Sequence, residues 1–573
     1  MPNSNDLCYD YLYVYERSIL LHYIKDWFLG IKHSAKGAIA PTIVAALIFF
    51  ITYRFFGVEN SMIAPFATLS YLRFTRLNHN LDCMFKHVMI YIVMAVLAYV
   101  ACINLPLCII VNALGLFWIA YILIDEYQPN NYFASGMALM FFQLAPTEGF
   151  SGLGMRIGAL AVSFVIIFLF VTIPMLLGLG EKKETLSEMI ARGFVNCRKQ
   201  LAMAESDPAA GILTPENIAE RERLRNELDA INQQSCMEIY AYNRSAILPR
   251  GKTSWYCRFV LVFQVLNYLF ITQNKEGHIE EARSLLDQFE EMFRTETPTA
   301  DYKKLRVRVN RPDIRNFRLR FALRLVLIVT PCIAFAYQSG FDNAYWLVIS
   351  VFFMMIPYSD ETGTRVKQRI TGTICGLVIC FLLFTVFPGF NAHVVIMMIA
   401  NFLIYSASGY GAMVSYITCS ALAVQTVDIM LLPVLGERLL YTLIGAVIAL
   451  LANRFVFPIR ARKQMDFLEE MLVRIRYKLG LFSPEDPDAD PDRTVYLLQS
   501  GGFVKKEKAS RLDEECIHHQ VDQLIIKSYL ISYRLKTLNA TLPPDEQVKD
   551  LETRKHRYMM FMASLLRRQF RRS

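Results

Sequence analysis

The feature that most constrains this chain is the clustering of its apolar residues into two blocks, at about 38–179 and 320–457. Each block is a series of apolar stretches, and a helix needs about 20 mostly apolar residues to cross a bilayer. Because a backbone in lipid must satisfy its own hydrogen bonds, such stretches predict bundles of membrane-spanning helices. The segments 181–318 and 459–573 are polar and amphipathic, and they predict soluble helices.

The apolar stretches predict six helices in each block. In the first block they lie near 38–56, 61–72, 85–103, 107–124, 131–145 and 155–179, and in the second near 320–338, 343–357, 370–387, 391–408, 411–427 and 438–457. The predicted fold is all-α: a polytopic membrane protein with two parallel six-helix repeats and cytoplasmic helical domains. The predicted domains are an N-terminal cytoplasmic segment (1–37), a first membrane block (38–180), a cytoplasmic helical domain (181–318), a second membrane block (319–458) and a C-terminal cytoplasmic helical domain (459–573).

The charges of the predicted loops indicate an orientation. Basic residues gather in the loops of one side: Lys32, Lys36, Arg73, Arg76, Lys86, Lys182, Lys183, Arg318, Arg320, Arg365, Lys367, Arg369, Arg460, Arg462 and Lys463. The other side carries Arg54, Arg156 and Arg438. By the positive-inside rule, this asymmetry predicts a multi-pass inner-membrane protein whose two termini are cytoplasmic. The same rule accounts for the net charge of +9, so nucleic acid is not an expected partner.

The two blocks can be aligned on their last two predicted helices. Gln143 is followed thirteen residues later by Arg156, and Gln425 is followed thirteen residues later by Arg438. Repeats of this kind place a substrate path at their interface, where short or interrupted helices contribute polar groups. The path candidates are Gln143, Gln425, Ser135, Ser415, Thr418, Asn112 and Asn401. Small and hydroxyl residues also let membrane helices pack closely, and that alternative remains open for each of them.

The second block resembles a known family. The stretches that carry the resemblance are NAYWLVISVFFMMIP (343–357), TRVKQRITGTICG (364–376) and ERLLYTLIGAVIALLANRFVFP (437–458). They resemble the fusaric-acid-resistance-like (FUSC) exporters, in which a Tyr-Trp pair opens a short helix, an Arg-rich inner loop leads into a Gly-Thr-x-x-Gly helix, and an Arg opens a final helix ending in Pro. The matching residues are Tyr345, Trp346, Arg365, Arg369, Gly372, Thr373, Gly376, Arg438, Gly445 and Pro458.

The first block fits that family in outline, since MIAPFATLSYLRFTRLNHNL lacks both the Tyr-Trp pair and the Gly-Thr-x-x-Gly helix. The resemblance implies efflux of aromatic carboxylic acids, with a more distant kinship to plant malate channels. The aromatic residues Tyr345, Trp346, Tyr405 and Tyr410 are candidates for stacking on a ring-bearing substrate. Aromatic belts at the membrane interface are the alternative reading of these side chains.

Several arginines are candidates for anion entry and exit. Arg365 and Arg369 are predicted in one inner loop and Arg73 and Arg76 in another, where they would gather cytoplasmic anions. Basic inner loops are also expected from topology alone. Arg156 and Arg438 are predicted outside, either in anion exit or in surface ion pairs. Near the inner surface, Arg320 and Arg324 are expected to snorkel to the lipid headgroups.

Motifs for catalysis and cofactor binding are missing from the sequence. Gly251-Lys252-Thr253 is the tail of a phosphate-binding loop, but Ala246 stands where that loop needs its first glycine. The twelve cysteines form no C-x-x-C pair or zinc spacing. We therefore expect no enzyme, cofactor or metal. The leading hypothesis is an exporter of organic anions in the lipid bilayer; a homodimer through the cytoplasmic helices is also considered. The alternatives are an anion channel of related architecture and a membrane scaffold or sensor.

Overall fold

The computed structural model of the chain describes residues 34–76, 81–124, 129–177, 184–206, 215–245, 252–273, 277–296, 317–341, 343–407, 409–425, 431–481 and 514–570. All regular secondary structure in these residues is helical. Seven of the described helices are long and apolar enough to cross a membrane. The predicted class, an all-α polytopic membrane protein, is therefore confirmed. Most of the predicted segment 1–37 lies outside the described residues.

The helices follow one another in four groups along the chain. The first group is α1 (Ser34–Phe56), α2 (Ile63–Arg76), α3 (Leu81–Ala101), α4 (Leu105–Leu123), α5 (Phe133–Leu144) and α6 (Gly149–Leu176). The second group is α7 (Leu186–Glu205), α8 (Pro215–Ser245), α9 (Lys252–Ile271) and α10 (His278–Thr295). The third is α11 (Phe317–Gln338), α12 (Tyr345–Met354), α13 (Thr362–Val386), α14 (Phe390–Ser406), α15 (Tyr410–Gln425) and α16 (Leu431–Phe455). The last is α17 (Ala461–Leu481), α18 (Glu514–Thr541) and α19 (Leu551–Phe570).

The helices of the two membrane blocks differ in length. The seven long ones are α1, α3, α4, α6, α11, α13 and α16, whereas α12 has 10 residues and α5 has 12. Nearly all of α12 is buried by neighbouring helices. A short helix is tolerated at membrane depth when protein rather than lipid surrounds its ends. Each block thus has six helices in the predicted order, and their relation as parallel repeats stays a prediction.

Three helices begin at least six residues earlier than predicted. The predicted starts were 155, 370 and 438, but α6, α13 and α16 begin at or before Gly149, Thr362 and Leu431. Counting apolar residues ends a helix at its first charge, whereas a helix continues wherever its backbone hydrogen bonds can form. The placement of Arg365 and Arg369 in a loop is therefore wrong, because both lie within α13, and Arg73 and Arg76 lie in the last turn of α2. Arg156 and Arg438 lie within α6 and α16, as their predicted helices have them.

The chain separates into two compact units. One contains α1–α6 and α11–α16, apart from the first residues of α3, and the other contains α7–α10 and α17–α19. We call the first the membrane unit and the second the polar unit. The segments 181–318 and 459–573 thus contribute helices to the same polar unit. The boundaries of the five predicted domains stay a prediction.

The polar unit has an aromatic core between α7, α9 and α10. The ring centres of Phe194 and Phe263 lie 5.1 Å apart, and those of Trp255 and Phe259 lie 4.6 Å apart. Buried polar contacts attach the C-terminal helices, since Tyr533 donates a hydrogen bond to Asp229 at 2.9 Å and Arg567 pairs with Glu281 at 2.5 Å.

Candidate functional site

The end of the short helix α12 lies inside the membrane unit. After Met354 the chain leaves the helix, and the carbonyl oxygens of the next residues need partners that lipid could not supply. The Tyr132 hydroxyl donates a hydrogen bond to Met355 O at 2.7 Å. The Arg324 guanidinium donates to Ile356 O and Pro357 O at 2.6 Å each. The end of α12 is therefore fixed by one residue from each membrane block.

Arg324 does not reach the headgroups as the sequence predicts. Its side chain is 0% exposed, and it also donates to Ser359 Oγ at 3.1 Å. A cation is favourable at a helix C-terminus because the helix dipole is negative there. The prediction of snorkelling is wrong for Arg324 because these oxygens compete successfully with water for its donors.

Three further arginines surround α12. The Cζ atom of Arg438 lies 5.1 Å from the ring centre of Trp346, near the start of α12. The Cζ atom of Arg369 lies 5.0 Å from the ring centre of Phe353, near its end. Arg365 donates from Nε to Phe353 O at 3.4 Å, and its guanidinium lies 3.1 Å from the ring centre of Tyr410. Such cation–π contacts partly replace the lost hydration of a buried cation.

Arg369 is the most unusual of these arginines. Its side chain is 0% exposed, and Nε, Nη1 and Nη2 have no hydrogen-bond partner among the described residues. Three hydroxyl groups on α12, α13 and α15, those of Ser350, Thr373 and Tyr410, also lack a partner within that part of the chain. Buried donors without acceptors are uncommon, because each loses its hydration without compensation.

Close packing of α13 on α15 sets the position of Arg369. A Cβ atom on Gly376 would lie 2.7 Å from Ser415 O, and a Cβ atom on Gly372 would meet Gly411 O and Val414. Only glycine allows backbones to approach this closely. The hydroxyls of Ser415 and Thr418 donate to carbonyls of their own helix, at 3.3 and 2.9 Å. In this structure both predicted path residues contribute to the packing of α15.

The first block uses its matched arginine as a helix cap. Arg156 is 1% exposed and donates from Nη1 to Phe142 O at 2.8 Å, and from Nη2 to Ala145 O. It also donates from Nε to Asn60 Oδ1 at 3.0 Å. These acceptors lie at the end of α5 and in the turn before α2. Arg156 therefore joins three elements of the first block.

Asn112 and Gln143 form a reciprocal amide pair between α4 and α5. Asn112 Nδ2 donates to Gln143 Oε1 at 2.7 Å, and Gln143 Nε2 donates to Asn112 Oδ1 at 2.8 Å. Each also donates to a carbonyl of its own helix. The side-chain amides of these two predicted path residues therefore serve as each other's hydrogen-bond partners.

Aromatic side chains fill the contact between α5 of the first block and α12 of the second. The ring of Phe133 lies 4.8 Å from that of Phe353, and the ring of Tyr132 lies 5.7 Å from that of Phe352. A Cβ atom on Gly136 would lie 2.5 Å from the Phe352 ring, so this glycine makes room for the phenyl group. The interface between the two blocks is thus densely packed where α5 meets α12.

The other predicted site residues lie on α2, α5, α14 and α15. Ser135 is buried on α5, and Asn401 accepts a hydrogen bond from Ser420 at 3.1 Å. Arg73 donates to Asn131 from the last turn of α2. Arg76 and Gln425 end α2 and α15, and their side chains lie outside the described part of the structure.

The ring centre of Tyr345 lies 5.9 Å from that of Trp346. Six of the predicted residues therefore lie on α12 or on the helices beside it: Tyr345, Trp346, Tyr410, Arg365, Arg369 and Arg438. Sequence reasoning did not single out Tyr132, Ser350 or Phe353, and it named Thr373 only as part of the Gly-Thr-x-x-Gly motif. Heptad spacing could have indicated two of them, because Ser350 and Phe353 follow Trp346 on one face of α12.

Comparison with known proteins bears on this same region. Residues 330–452 match the family described as fusaric acid resistance protein-like. The resemblance to that family is confirmed. We call this matched stretch the FUSC-like segment; it contains the whole of α12, α13, α14 and α15. The six residues on or beside α12 all belong to it.

Three relatives match stretches of 142 to 160 residues of the chain. They are an uncharacterized protein of Haemophilus influenzae (29% identity, 27% of this chain and 22% of the relative), the inner membrane protein YccS of Escherichia coli (26%, 24% and 20%) and the uncharacterized protein ORF2 of Neisseria gonorrhoeae (26%, 24% and 34%). The chain thus spans about a fifth to a third of these relatives' length. No solved structure matches the chain significantly.

Proposed function

We propose that this protein exports organic anions across the inner membrane, aromatic or amphipathic carboxylates among them. The supporting observation is the charge of the membrane unit. Among its described residues, Arg156, Arg324, Arg369 and Arg438 are buried, whereas no Asp, Glu or Lys is. Fixed cations in a low-dielectric interior attract anions and repel cations. The FUSC-like segment supports transport as the general class of function.

We place the anion path within the second block, around α12, rather than between the blocks. Aromatic packing of α5 against α12 leaves little space at their interface. Arg365, Arg369 and Arg438 surround α12, whereas Arg156 has its donors committed to the end of α5. Short helices flanked by charged residues are typical of substrate sites in transporters.

The membrane potential is a sufficient driving force for such export. With both termini in the cytoplasm, as the loop charges predict, a monovalent anion leaves a negative interior. This yields about 2.3 kcal/mol per 100 mV, which supports a gradient of about 50-fold. The bilayer and the anion are the proposed partners, and dimerisation through the cytoplasmic helices remains part of the proposal.

Counterflow in proteoliposomes tests this function. We expect saturable exchange of benzoate and longer aryl carboxylates, and no exchange of the neutral analogue benzamide. Arg438→Gln should lower flux by about tenfold or more, since a hydrogen bond to a charged group contributes about 1.5–3 kcal/mol. Thr371→Val is the control, because its side chain is exposed on α13 and donates to Lys367 O at 2.9 Å.

Three other outcomes would contradict the proposal or part of it. Large unitary currents without saturation would indicate an anion channel. Absence of flux for every anion would favour a scaffold or sensor. Unchanged flux in Arg438→Gln would remove Arg438 from the path.

A further inference from the structure

The arginines buried in the membrane unit differ in what their donors contact. Arg156 and Arg324 each donate to two backbone carbonyls or more. Arg369 is equally buried, yet none of its three nitrogen atoms has a hydrogen-bond partner among the described residues. A guanidinium carries five N–H donors, and leaving them all unpaired in the protein interior is strongly unfavourable. The ring of Phe353 at 5.0 Å compensates part of that penalty.

Electrostatic repulsion between the arginines adds to the cost of burying Arg369. Arg369 repels Arg365 on its own helix and Arg438 on α16. No acidic side chain is buried beside them in the described part of the membrane unit. Three cations in one low-dielectric region are stabilised by an anion that enters between them.

Two hydroxyl groups on α12 and α13 also lack a hydrogen-bond partner among the described residues. Buried Ser and Thr side chains in membrane helices usually donate to the carbonyl four residues earlier, as Ser163, Thr418 and Thr442 do here at 2.7–2.9 Å. Ser350 Oγ and Thr373 Oγ1 have no partner among the described residues. Thr373 lies one turn after Arg369 on α13, and Ser350 lies one turn before Phe353 on α12.

We propose that Arg369, Ser350 and Thr373 form a binding subsite for a single carboxylate group, carried by the organic anion that the protein transports. A carboxylate accepts two parallel hydrogen bonds from one guanidinium and retains lone pairs for both hydroxyls. This inference rests on the proposed function, because it identifies where the exported anion is held. Arg156, the buried arginine among the described residues of the first block, forms no equivalent subsite, since it has its donors on Phe142 O, Ala145 O and Asn60 Oδ1.

Binding and stability of the purified full-length protein test the subsite. Benzoate binding is measured by radioligand assay in nanodiscs, and thermal stability is measured with and without benzoate. In Arg369→Gln we expect benzoate affinity to fall by about 10- to 100-fold. We also expect the ligand-free variant to melt no lower than the wild type, because an unpaired buried cation has been removed. Arg369→Lys should bind weakly, since lysine cannot make the bidentate contact.

Thr373→Val provides a second variant that preserves shape. Because Thr373 Oγ1 bonds to no described residue, the substitution should leave melting unchanged and weaken benzoate binding several-fold. Its matched control is Thr371→Val, two residues away on the exposed face, which should bind benzoate like the wild type. Unchanged benzoate affinity in Thr373→Val and Ser350→Ala together would overturn the subsite, and this test holds even where Arg369→Gln does not fold.

Two further ligands, sulfate and benzamide, test whether the subsite prefers an organic carboxylate to an inorganic anion or a neutral analogue. Sulfate that competes fully with benzoate while benzoate itself does not stabilise the protein would overturn the assignment to an organic carboxylate. Benzamide should not bind, because it carries no charge.

Flux separates failure of the subsite from failure of the proposed function. Equal benzoate flux in the wild type and Arg369→Gln would overturn the subsite and leave export intact. Benzoate binding that depends on Arg369, without flux of any anion, would support the subsite and overturn export.

Discussion

The two membrane blocks share an order of six helices but use their buried arginines in different ways. Arg156 in the first block donates to the end of α5 and to Asn60. In the second block Arg324 has a comparable role at the end of α12, while Arg369 donates to no described residue. A cation whose donors all contact the backbone stabilises a fold, and a cation with unused donors remains available to an anion.

Polar side chains show the same contrast. The amides of Asn112 and Gln143 in the first block bond to each other, whereas the hydroxyls of Ser350 and Thr373 in the second bond to no described residue. Residues at matched positions of the two blocks therefore need not make matched contacts.

Replacing Arg156 should have the largest effect on stability. Arg156→Gln removes donors from Phe142 O and Ala145 O, so we expect a loss of about 2–4 kcal/mol in the free energy of unfolding. The measurement is denaturant-induced unfolding in detergent, with Arg369→Gln as the paired variant. Equal destabilisation by both substitutions would erase the distinction between the blocks.

Gly136→Ala should disturb the contact between the blocks. The added methyl group would lie 2.5 Å from the Phe352 ring, so the ring must move at a cost of about 1–3 kcal/mol. Gly154→Ala on α6 is the control, because nothing lies within 4 Å of its Cβ position. If both variants melt alike, the aromatic packing of α5 on α12 is not as described.

Tyr132→Phe removes a single hydrogen bond that joins the blocks. Losing the donor to Met355 O should lower stability by about 1 kcal/mol and reduce benzoate flux, because the end of α12 is less well fixed. Tyr53→Phe serves as the comparison, since Tyr53 is 43% exposed. A loss of stability without any change in flux would separate the fixing of α12 from transport.

The amide pair should give the smallest net effect. Asn112→Leu and Gln143→Leu each leave the partner amide without its hydrogen bonds to the other helix, at about 1–3 kcal/mol, whereas the double substitution removes both amides and should be nearly neutral. Thermal melting of the four proteins gives this double-mutant cycle. Benzoate flux should persist in the double variant; its loss would place the pair on the path.

Much of the fold could be predicted from the sequence because hydropathy and helix length are properties of a single segment. Twelve membrane-block helices form close to their predicted positions, α12 among them. The candidate site was predicted in part: the FUSC-like motifs contain Arg369 and Trp346, but they placed Arg369 in a loop. A charged residue ends an apolar stretch but need not end a helix. Arg369 was therefore placed in a loop because apolar residues were counted to locate the helix.

The sequence by itself determined that this chain is a helical membrane protein with an excess of basic residues and a FUSC-like segment. Only the tertiary structure decided the role of each arginine. Arg156 finds Asn60 at a separation of 96 residues, and Tyr132 finds Met355 at 223. Hydrogen bonds act over about 3 Å, so the packing of the helices decides which residues this distant along the chain can bond to each other. The same packing leaves the donors of Arg369 without an acceptor among the described residues.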